Sequence, residues 1–409
     1  MKCRFCNTEL THVFCDLGHQ PPSNAFLTLE QLDEPEMTYP LKVMVCDRCW
    51  LVQLPEIAKA TDIFKDDYPY YSSQSPANVS HAKAFAEIMV ERFHPRSVLE
   101  IGSNDGYLLQ WFQGRGMEVM GMDPSPGCVR IARDKGIITY KDFFGVRSAK
   151  EYSFDIAPLD LICGINVLAH QPDINDFVGG LKVALAPKGI ITMEFPHLMR
   201  LIECSQFDTI YHEHYNYFSL ATIREIFEKH LLSVFDVDEI PEHGGSLRIY
   251  ARHHQDSHDC LTRDSDMRVQ GLLLREGTKG MFAPEYYSCF QYQIDSIKTY
   301  LVRFLVEKKQ AGISVVAYGA AAKASTFLNT CGIRKDLLPY VVDRSPHKVG
   351  KFMPGSHIPV VDELRIKVDK PDYVLITAWN LRDEIMEQLS YIREWGGQFV
   401  VAVPELEIL

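Results

Sequence analysis

The chain has 409 residues, enough for two or three domains at roughly 100–200 residues each. A formal net charge of −12 with no Lys/Arg-rich tract argues against nucleic acid as a partner. The N-terminus has no signal-like apolar region, and no run of about 18 apolar residues follows, so no membrane partner is expected. A soluble, cytoplasmic protein is therefore expected; the sequence carries no strong signal of oligomeric state, and a monomer is the expectation.

Taken in chain order, the first segment runs to about residue 57 and carries brief strand-like runs such as Leu41–Val45. It is bounded by two Cys-x-x-Cys pairs, Cys3/Cys6 and Cys46/Cys49. Each pair can sit on a tight turn and offer two thiolates to one ion, so the four together predict a closed, structural zinc site. A segment this small needs such a staple because its own core is marginal. The other seven of the 11 cysteines are scattered singly and read as small apolar residues in a reducing compartment. A Pro-, Ser- and Tyr-rich stretch, residues 66–76, reads as a linker.

From His81 the pattern changes. His81–Phe93 has helical spacing, with Ala84, Phe85, Ile88 and Met89 on one side. Strand-like runs at Ser97–Ile101, Val119–Met122, Leu161–Gly164 and Gly189–Glu194 alternate with helical runs at Gly106–Gln113, Gly127–Lys135 and Phe177–Leu185. That alternation predicts parallel βαβ units. Another helix, Thr222–His230, precedes Ser233–Ile240 and Ser246–Arg252, which read as a closing antiparallel pair. A long helical stretch from about Cys260 to Gln310 leads to a second alternating block. Its strands are Ser314–Tyr318, Tyr340–Val342, Tyr373–Thr377 and Gln398–Val403, with helices at Ala321–Asn329 and Leu381–Glu394 between them. The expected fold class is α/β with three parts: residues 1–75 as zinc-binding domain and linker, 76–254 as a Rossmann-like methyltransferase domain, and 255–409 as a second Rossmann-like domain.

The securest cofactor signal is the strand–turn–helix at Val98–Gly106. Gly102 lets the backbone pass close to a ligand, and Gly106 opens the helix. A dinucleotide loop would read Gly-x-Gly-x-x-Gly and admit a pyrophosphate. This loop is acidic instead, with Glu100 and Asp105 near Asn104. Carboxylates repel a pyrophosphate but suit the sulfonium and ammonium of S-adenosylmethionine. Asp123 ends the next strand, where an acid can take both ribose hydroxyls. Asp142 and Phe143 are placed to flank the adenine, and Asn166 to His170 stand at a strand end facing the same crevice.

The densest polar and aromatic run is Phe207–Phe218, preceded by Glu194-Phe195-Pro196-His197. It contains Tyr211, His212, Glu213 and His214. Imidazole exchanges protons near neutral pH, and a tyrosine hydroxyl can donate to a developing oxyanion, so the run suits general acid–base work. A metal is a second reading of His212-Glu213-His214, although the helical zinc spacing of His at i and i+4 is absent. His243-Gly244-Gly245-Ser246-Leu247-Arg248 offers backbone amides and an anion-gripping Arg248, or is a plain hairpin turn. Tyr318–Thr326 opens a helix after a strand, with Lys323 adding positive charge to free amides. Asp343 ends the following strand and Lys348 stands just beyond. This block reads as a phosphate site for a nucleoside diphosphate attached to something other than nicotinamide, or as a bare helix start.

In order, the paired Cys-x-x-Cys, Glu100–Gly106, Tyr211-His-Glu-His214-Tyr and Tyr318-Gly-Ala-Ala-Ala-Lys323 resemble the C-methyltransferases of nucleotide-linked deoxysugars. They span nearly the whole chain, and the Tyr-x-Glu-His element is the most specific of the four. The resemblance implies a structural zinc ion, S-adenosylmethionine as cofactor and a nucleotide-diphosphate keto-deoxysugar as substrate between the last two domains. It implies that His214 removes the proton at the sugar's third carbon, beside a ketone on the fourth, with Tyr211 and Glu213 assisting. It also implies a linker tyrosine at the site, best matched by Tyr70, with Tyr68 and Tyr71 as competitors. His197, His243, Arg248, Lys323, Asn329, Asp343 and Lys348 are the expected substrate contacts.

Overall fold

A computed structural model of the chain describes residues 1–56, 71–152, 159–256 and 262–409. Tyr68 and Tyr70, most of the linker and Cys260 lie outside the described residues. Among the described residues there are three sheets.

The N-terminal sheet runs β1 (His12–Gln20), β2 (Tyr39–Val45), β3 (Val52–Gln53), all antiparallel. Its fourth strand, β9 (Asn216–Tyr217), comes from the run that follows His214 and pairs Val52 with Tyr217 and Gln53 with Asn216. The small sheet is therefore completed by the segment that the sequence marks as chemical.

The middle sheet has seven strands in the order β10–β11–β8–β7–β4–β5–β6. Here β4 is Ser97–Ile101, β5 Glu118–Met122, β6 Ile138–Tyr140, β7 Leu159–Ile165 and β8 Leu185–Pro196, and neighbouring pairs among these run parallel. The short strand β6 has no distinct sequence signal. Strands β10 (Leu232–Ile240) and β11 (Ser246–His253) form the expected antiparallel pair against β8. The helix before β4 runs Pro76–Phe93, with Ser75 Oγ accepting from Asn78 N and Pro76 in the first turn, where a missing N–H costs nothing. Its buried face is Ala82, Phe85, Ala86 and Met89, at i, i+3, i+4 and i+7, while Ala84 and Ile88 are exposed. Phe85 and Met89 lie on the buried face as expected, but Ala82 and Ala86 complete it in place of Ala84 and Ile88.

The C-terminal sheet is β14 (Val360–Val361), β13 (Val341–Val342), β12 (Val315–Tyr318), β15 (Tyr373–Ile376), β16 (Gln398–Val401), β17 (Glu407–Ile408), parallel except for the last strand, with β12 and β15 at its centre. The long helical stretch is not one element. It divides into Arg263–Thr278, Pro284–Ser288 and Phe290–Gln310, with Gly280 at φ +86° in the break. The first piece lies on β10, where Arg268 grips the buried Asp236 through two bonds of 2.7 and 2.8 Å. The last faces the N-terminal sheet, with Phe290 stacked on Phe14 at 4.5 Å. Among the described residues no helix is long and apolar enough to cross a membrane.

Candidate active site

The four N-terminal cysteines converge. Cys3 and Cys49 sulfurs lie 3.6 Å apart, Cys6 and Cys46 likewise, and all four lie within 4.8 Å of one another. Four thiolates around zinc at about 2.3 Å stand about 3.8 Å apart, so this donor set fits a tetrahedral ion. Among the described residues this is the only such group of donors. His212 stands edge-on to Tyr39, with ring centres 5.9 Å apart.

The zinc cluster is wired to the Phe207–Phe218 run. Gln53 on β3 donates to Cys3 Sγ at 3.2 Å and pairs with Asn216 on β9. Leu54 N donates to Tyr215 O at 2.9 Å, and Thr222 Oγ1 to Cys49 O at 3.0 Å.

The Glu100–Gly106 loop leaves β4 as expected, but the helix after it begins at Leu109 rather than at Gly106. Gly102, Asn104 and Gly106 all have positive φ, and at φ +78° Gly106 occupies backbone space that favours glycine, with Ile137 Cδ1 crowding the position a Cβ would take. Asp123 accepts from Asn104 N at 2.9 Å and from Ser125 N at 2.8 Å, which pins the loop to the next strand. Burial lifts the Asp123 carboxyl to about 6. Glu100 is fully buried with neither carboxyl oxygen hydrogen-bonded, and burial, then Asp123 and Asp105, push it well above the usual carboxylate range. Asp105 also has one buried oxygen without a partner. Uncompensated buried carboxylates favour a cationic ligand, so these residues fit a sulfonium and an ammonium. Ser72 N donates to Asn104 Oδ1 at 2.9 Å and Ser73 Oγ to Asp105, so the end of the linker lies over the loop. Asp142 and Phe143 follow β6 at the same edge; Phe143 is exposed and Asp142 pairs with Arg147 at 2.6 Å.

Four basic side chains gather beside this loop. His214 Nδ1 lies 2.9 Å from Thr209 O. A carbonyl only accepts, so Nδ1 carries the proton and Nε2 is left with its lone pair. Burial, with His170, Lys323 and His243 nearby, holds His214 well below the usual imidazole range. The Tyr211 ring packs on the imidazole at 4.0 Å and His170 meets it edge-on at 4.7 Å. His243 sits at φ +56° and accepts from Asn166 Nδ2 at 2.8 Å; burial and Lys323 bring it down to about 4. Asn166 is itself at φ +56°. Lys323 lies over the Trp379 ring at 4.8 Å and donates to Asn380 Oδ1 at 3.2 Å, and burial loosens its proton. Trp379 Nε1 donates to the buried Asp208 at 2.7 Å, whose carboxyl burial raises to about 6.

Several expected contacts are placed elsewhere. His170, read as cofactor-binding, belongs to the His214 cluster. His197, read as substrate-binding, is buried and bonded to Glu276 at 2.8 Å; Glu276 in turn caps Leu220 N and Ala221 N, so this is a structural tie. Arg248 is not open to an anionic ligand, because its guanidinium donates to the Glu194 carboxylate at 2.6 Å, with His81 on the same carboxylate at 2.7 Å. Asn329 donates to Pro354 O at 3.0 Å and packs on Gly355. Asp343 spends its oxygens on Ala320 N and Ser345 N, both at 2.8 Å, with Lys348 at 3.6 Å, repeating the Asp123 arrangement in the second Rossmann-like sheet. Tyr71, the described competitor of Tyr70, lies 6.4 Å from the His347 ring.

Sequence reasoning did not assign Asp208, Trp379 or Asn24. Trp379 follows β15 at the carboxyl end of a parallel strand, which is a positional signal for a ligand site. Asn24 has no such signal; its amide reaches Glu213 Oε1 at 2.8 Å from another domain.

Arg248→Met leaves the buried Glu194 with only His81 and is expected to cost about 3–5 kcal/mol, at the low end because of that histidine. Denaturant unfolding measures it, and a loss under about 1 kcal/mol would show the pair is not needed.

Compared with known proteins, the chain is 31% identical over 411 residues to C-methyltransferase NovU of Streptomyces niveus, covering all of this chain and 96% of that one. It belongs to the C-methyltransferase family. Three family models match in order: a zinc binding domain over residues 3–64, a methyltransferase domain over 76–234 and a C-methyltransferase C-terminal domain over 241–404. The chain is thus an S-adenosylmethionine-dependent methyltransferase with a zinc-bearing N-terminal domain. Among solved structures, a Pyrococcus horikoshii protein is similar over 45% of this chain and 94% of its own at 15% identity and TM-score 0.38. Magnesium protoporphyrin IX methyltransferase of Synechocystis, solved with bound S-adenosylmethionine, is similar over 43% and 77% at 16% identity and TM-score 0.32.

Proposed function

We propose that this C-methyltransferase acts at the third carbon of a nucleotide-diphosphate 4-keto-6-deoxyhexose, with His214 as the base. The observation that carries the reading is the His214 ring. Its Nδ1 proton is committed to Thr209 O, its Nε2 is unprotonated, and burial keeps it so at neutral pH. A carbon beside a ketone is acidic enough for imidazole when the enolate oxygen is stabilised in a water-poor cleft. Lys323 supplies positive charge in the same cluster, Tyr211 donates to the enolate oxygen and Glu213 holds the sugar. A linker tyrosine, best matched by Tyr70, completes the set.

The Glu100–Asp105 loop, Asp123, Asp142, Phe143 and Asn166 would hold S-adenosylmethionine, which supplies an electrophilic methyl group when bound. Lys323, His243 and Lys348, with Asp343 shaping their loop, would hold the nucleotide side of the acceptor. The division at 1–75, 76–254 and 255–409 belongs to the same reading and is supported by the three sheets. So does a cytoplasmic monomer with no nucleic-acid or membrane partner, to which the −12 net charge contributes.

The test is a panel of 4-keto-6-deoxy nucleotide-sugars with labelled methyl donor, followed by mass analysis and location of the new methyl group. Incubation in deuterated water should place deuterium at the third carbon before methylation. Exchange or methylation at the fifth carbon, or a methyl on oxygen, would displace this reading.

A further inference from the structure

We propose that the N-terminal zinc domain completes the active site through Asn24, as a positioning residue for Glu213. This rests on the reading that the Glu213–His214 pair faces the acceptor. Asn24 Nδ2 donates to Glu213 Oε1 at 2.8 Å, across 189 positions of sequence and two domains. Glu213 is only 4% exposed, so its carboxylate needs donors from the protein. An amide is a neutral donor. It fixes the carboxylate in direction and leaves its full charge available, which a lysine or arginine at the same place would not do.

The loop that carries Asn24 is built to hold still. It leaves β1 at Gln20, whose amide donates to Leu17 O at 3.0 Å and to Thr330 Oγ1 at 2.9 Å. Pro21 and Pro22 follow with fixed φ. Ser23 O accepts from Ser325 Oγ at 2.7 Å, one turn along the helix that begins at Ala322 and carries Lys323. Leu27 and Phe352 exchange backbone bonds of 3.0 and 2.9 Å. The loop is thus tied to the C-terminal domain at both ends while its middle reaches the middle domain. A second thread ties Glu213 to the base, because the His170 ring hydrogen-bonds the Glu213 backbone and meets His214 edge-on at 4.7 Å. Movement of Glu213 is movement of the His214 surroundings.

The experiment is a double-mutant cycle on the zinc-loaded full chain, using the acceptor that the panel identifies. Asn24→Ala is expected to lower kcat/KM by about 10- to 100-fold, the scale of a misplaced active-site group. Asn24→Asp sets a second carboxylate against Glu213 and is expected to fall further. In a Glu213→Gln background the same Asn24→Asp change is expected to shift kcat/KM by no more than about threefold, because the new amide donates and the new carboxylate accepts. Equal fold-losses from Asn24→Asp in both backgrounds, or an Asn24→Ala enzyme as fast as the parent, would overturn the proposal. A crystal structure of Asn24→Ala gives a readout free of turnover: the Glu213 carboxylate is expected to leave its position while the cysteine cluster stays intact, and an unmoved carboxylate would count against the role. If Glu213→Gln and His214→Ala themselves cost nothing, the site reading fails. If they cost activity and the Asn24 variants do not, only the present proposal fails.

Discussion

Replacing His214 with alanine is expected to reduce methyl transfer by about 10²–10⁴-fold, the usual contribution of a positioned general base. The cofactor loop lies on β4 and β5, and its bonds through Asp123 do not involve His214. Binding of S-adenosylmethionine, followed by calorimetry, should therefore be unchanged. The pH profile gives a second check. Burial disfavours the imidazolium, so the His214 pKa lies below its ordinary value, and the unprotonated base persists as the pH falls. The acid limb of kcat/KM should accordingly appear below the ordinary imidazole range of about 6.5. A limb above that value, or an active alanine variant, would place the base elsewhere. His214→Gln, which keeps a donor for Thr209 O, should preserve the fold and lose the activity.

The second large effect concerns the metal. Cys46→Ser, combined with chelation, is expected to destabilise the N-terminal sheet by roughly 4 kcal/mol or more, the scale seen when a structural metal is lost. Activity should fall with it, although the cysteine cluster does no chemistry. The reason is the pairing of β3 with β9. Gln53 holds Cys3 on one side and pairs with Asn216 on the other, and Asn216 lies two positions beyond His214. Loosening the zinc turn therefore loosens the backbone that sets His214, and it frees the Asn24 loop that leaves the same sheet. Metal content, thermal unfolding and kcat measured on one preparation check this. Full activity in protein stripped of zinc would show that the two sites are independent.

What sequence could reveal divides along the range of the interactions. The zinc site was legible because each Cys-x-x-Cys is a local turn with two donors, and only the meeting of the two turns needed the fold. The Glu100–Gly106 turn was legible for the same reason: Gly102, Asn104 and Gly106 adopt their positive φ within one strand–turn–helix. His214 and Lys323 stood out by composition and by their place at element ends, and the structure brings them together. The errors were of two kinds. The helix Pro76–Phe93 was assigned a face one step out of phase, because its apolar residues nearly satisfy two faces and the sheet beneath it chooses. His197 and Arg248 were read as contacts for a ligand, yet each had a buried partner, Glu276 and Glu194, at 79 and 54 positions' separation.

The sequence by itself therefore determined the acidic strand–turn–helix loop, the metal donors and the presence of a histidine-rich, basic cluster. These are properties of contiguous residues whose chemistry is fixed by side-chain type and by turns a few residues long. Only the tertiary structure decided which polar groups are spent inside the protein and which remain open to a ligand. A buried carboxylate takes whichever donor packing supplies, from any distance along the chain. That is why Glu194 removes Arg248 from the candidate site, and why Asn24, featureless in the sequence, enters it.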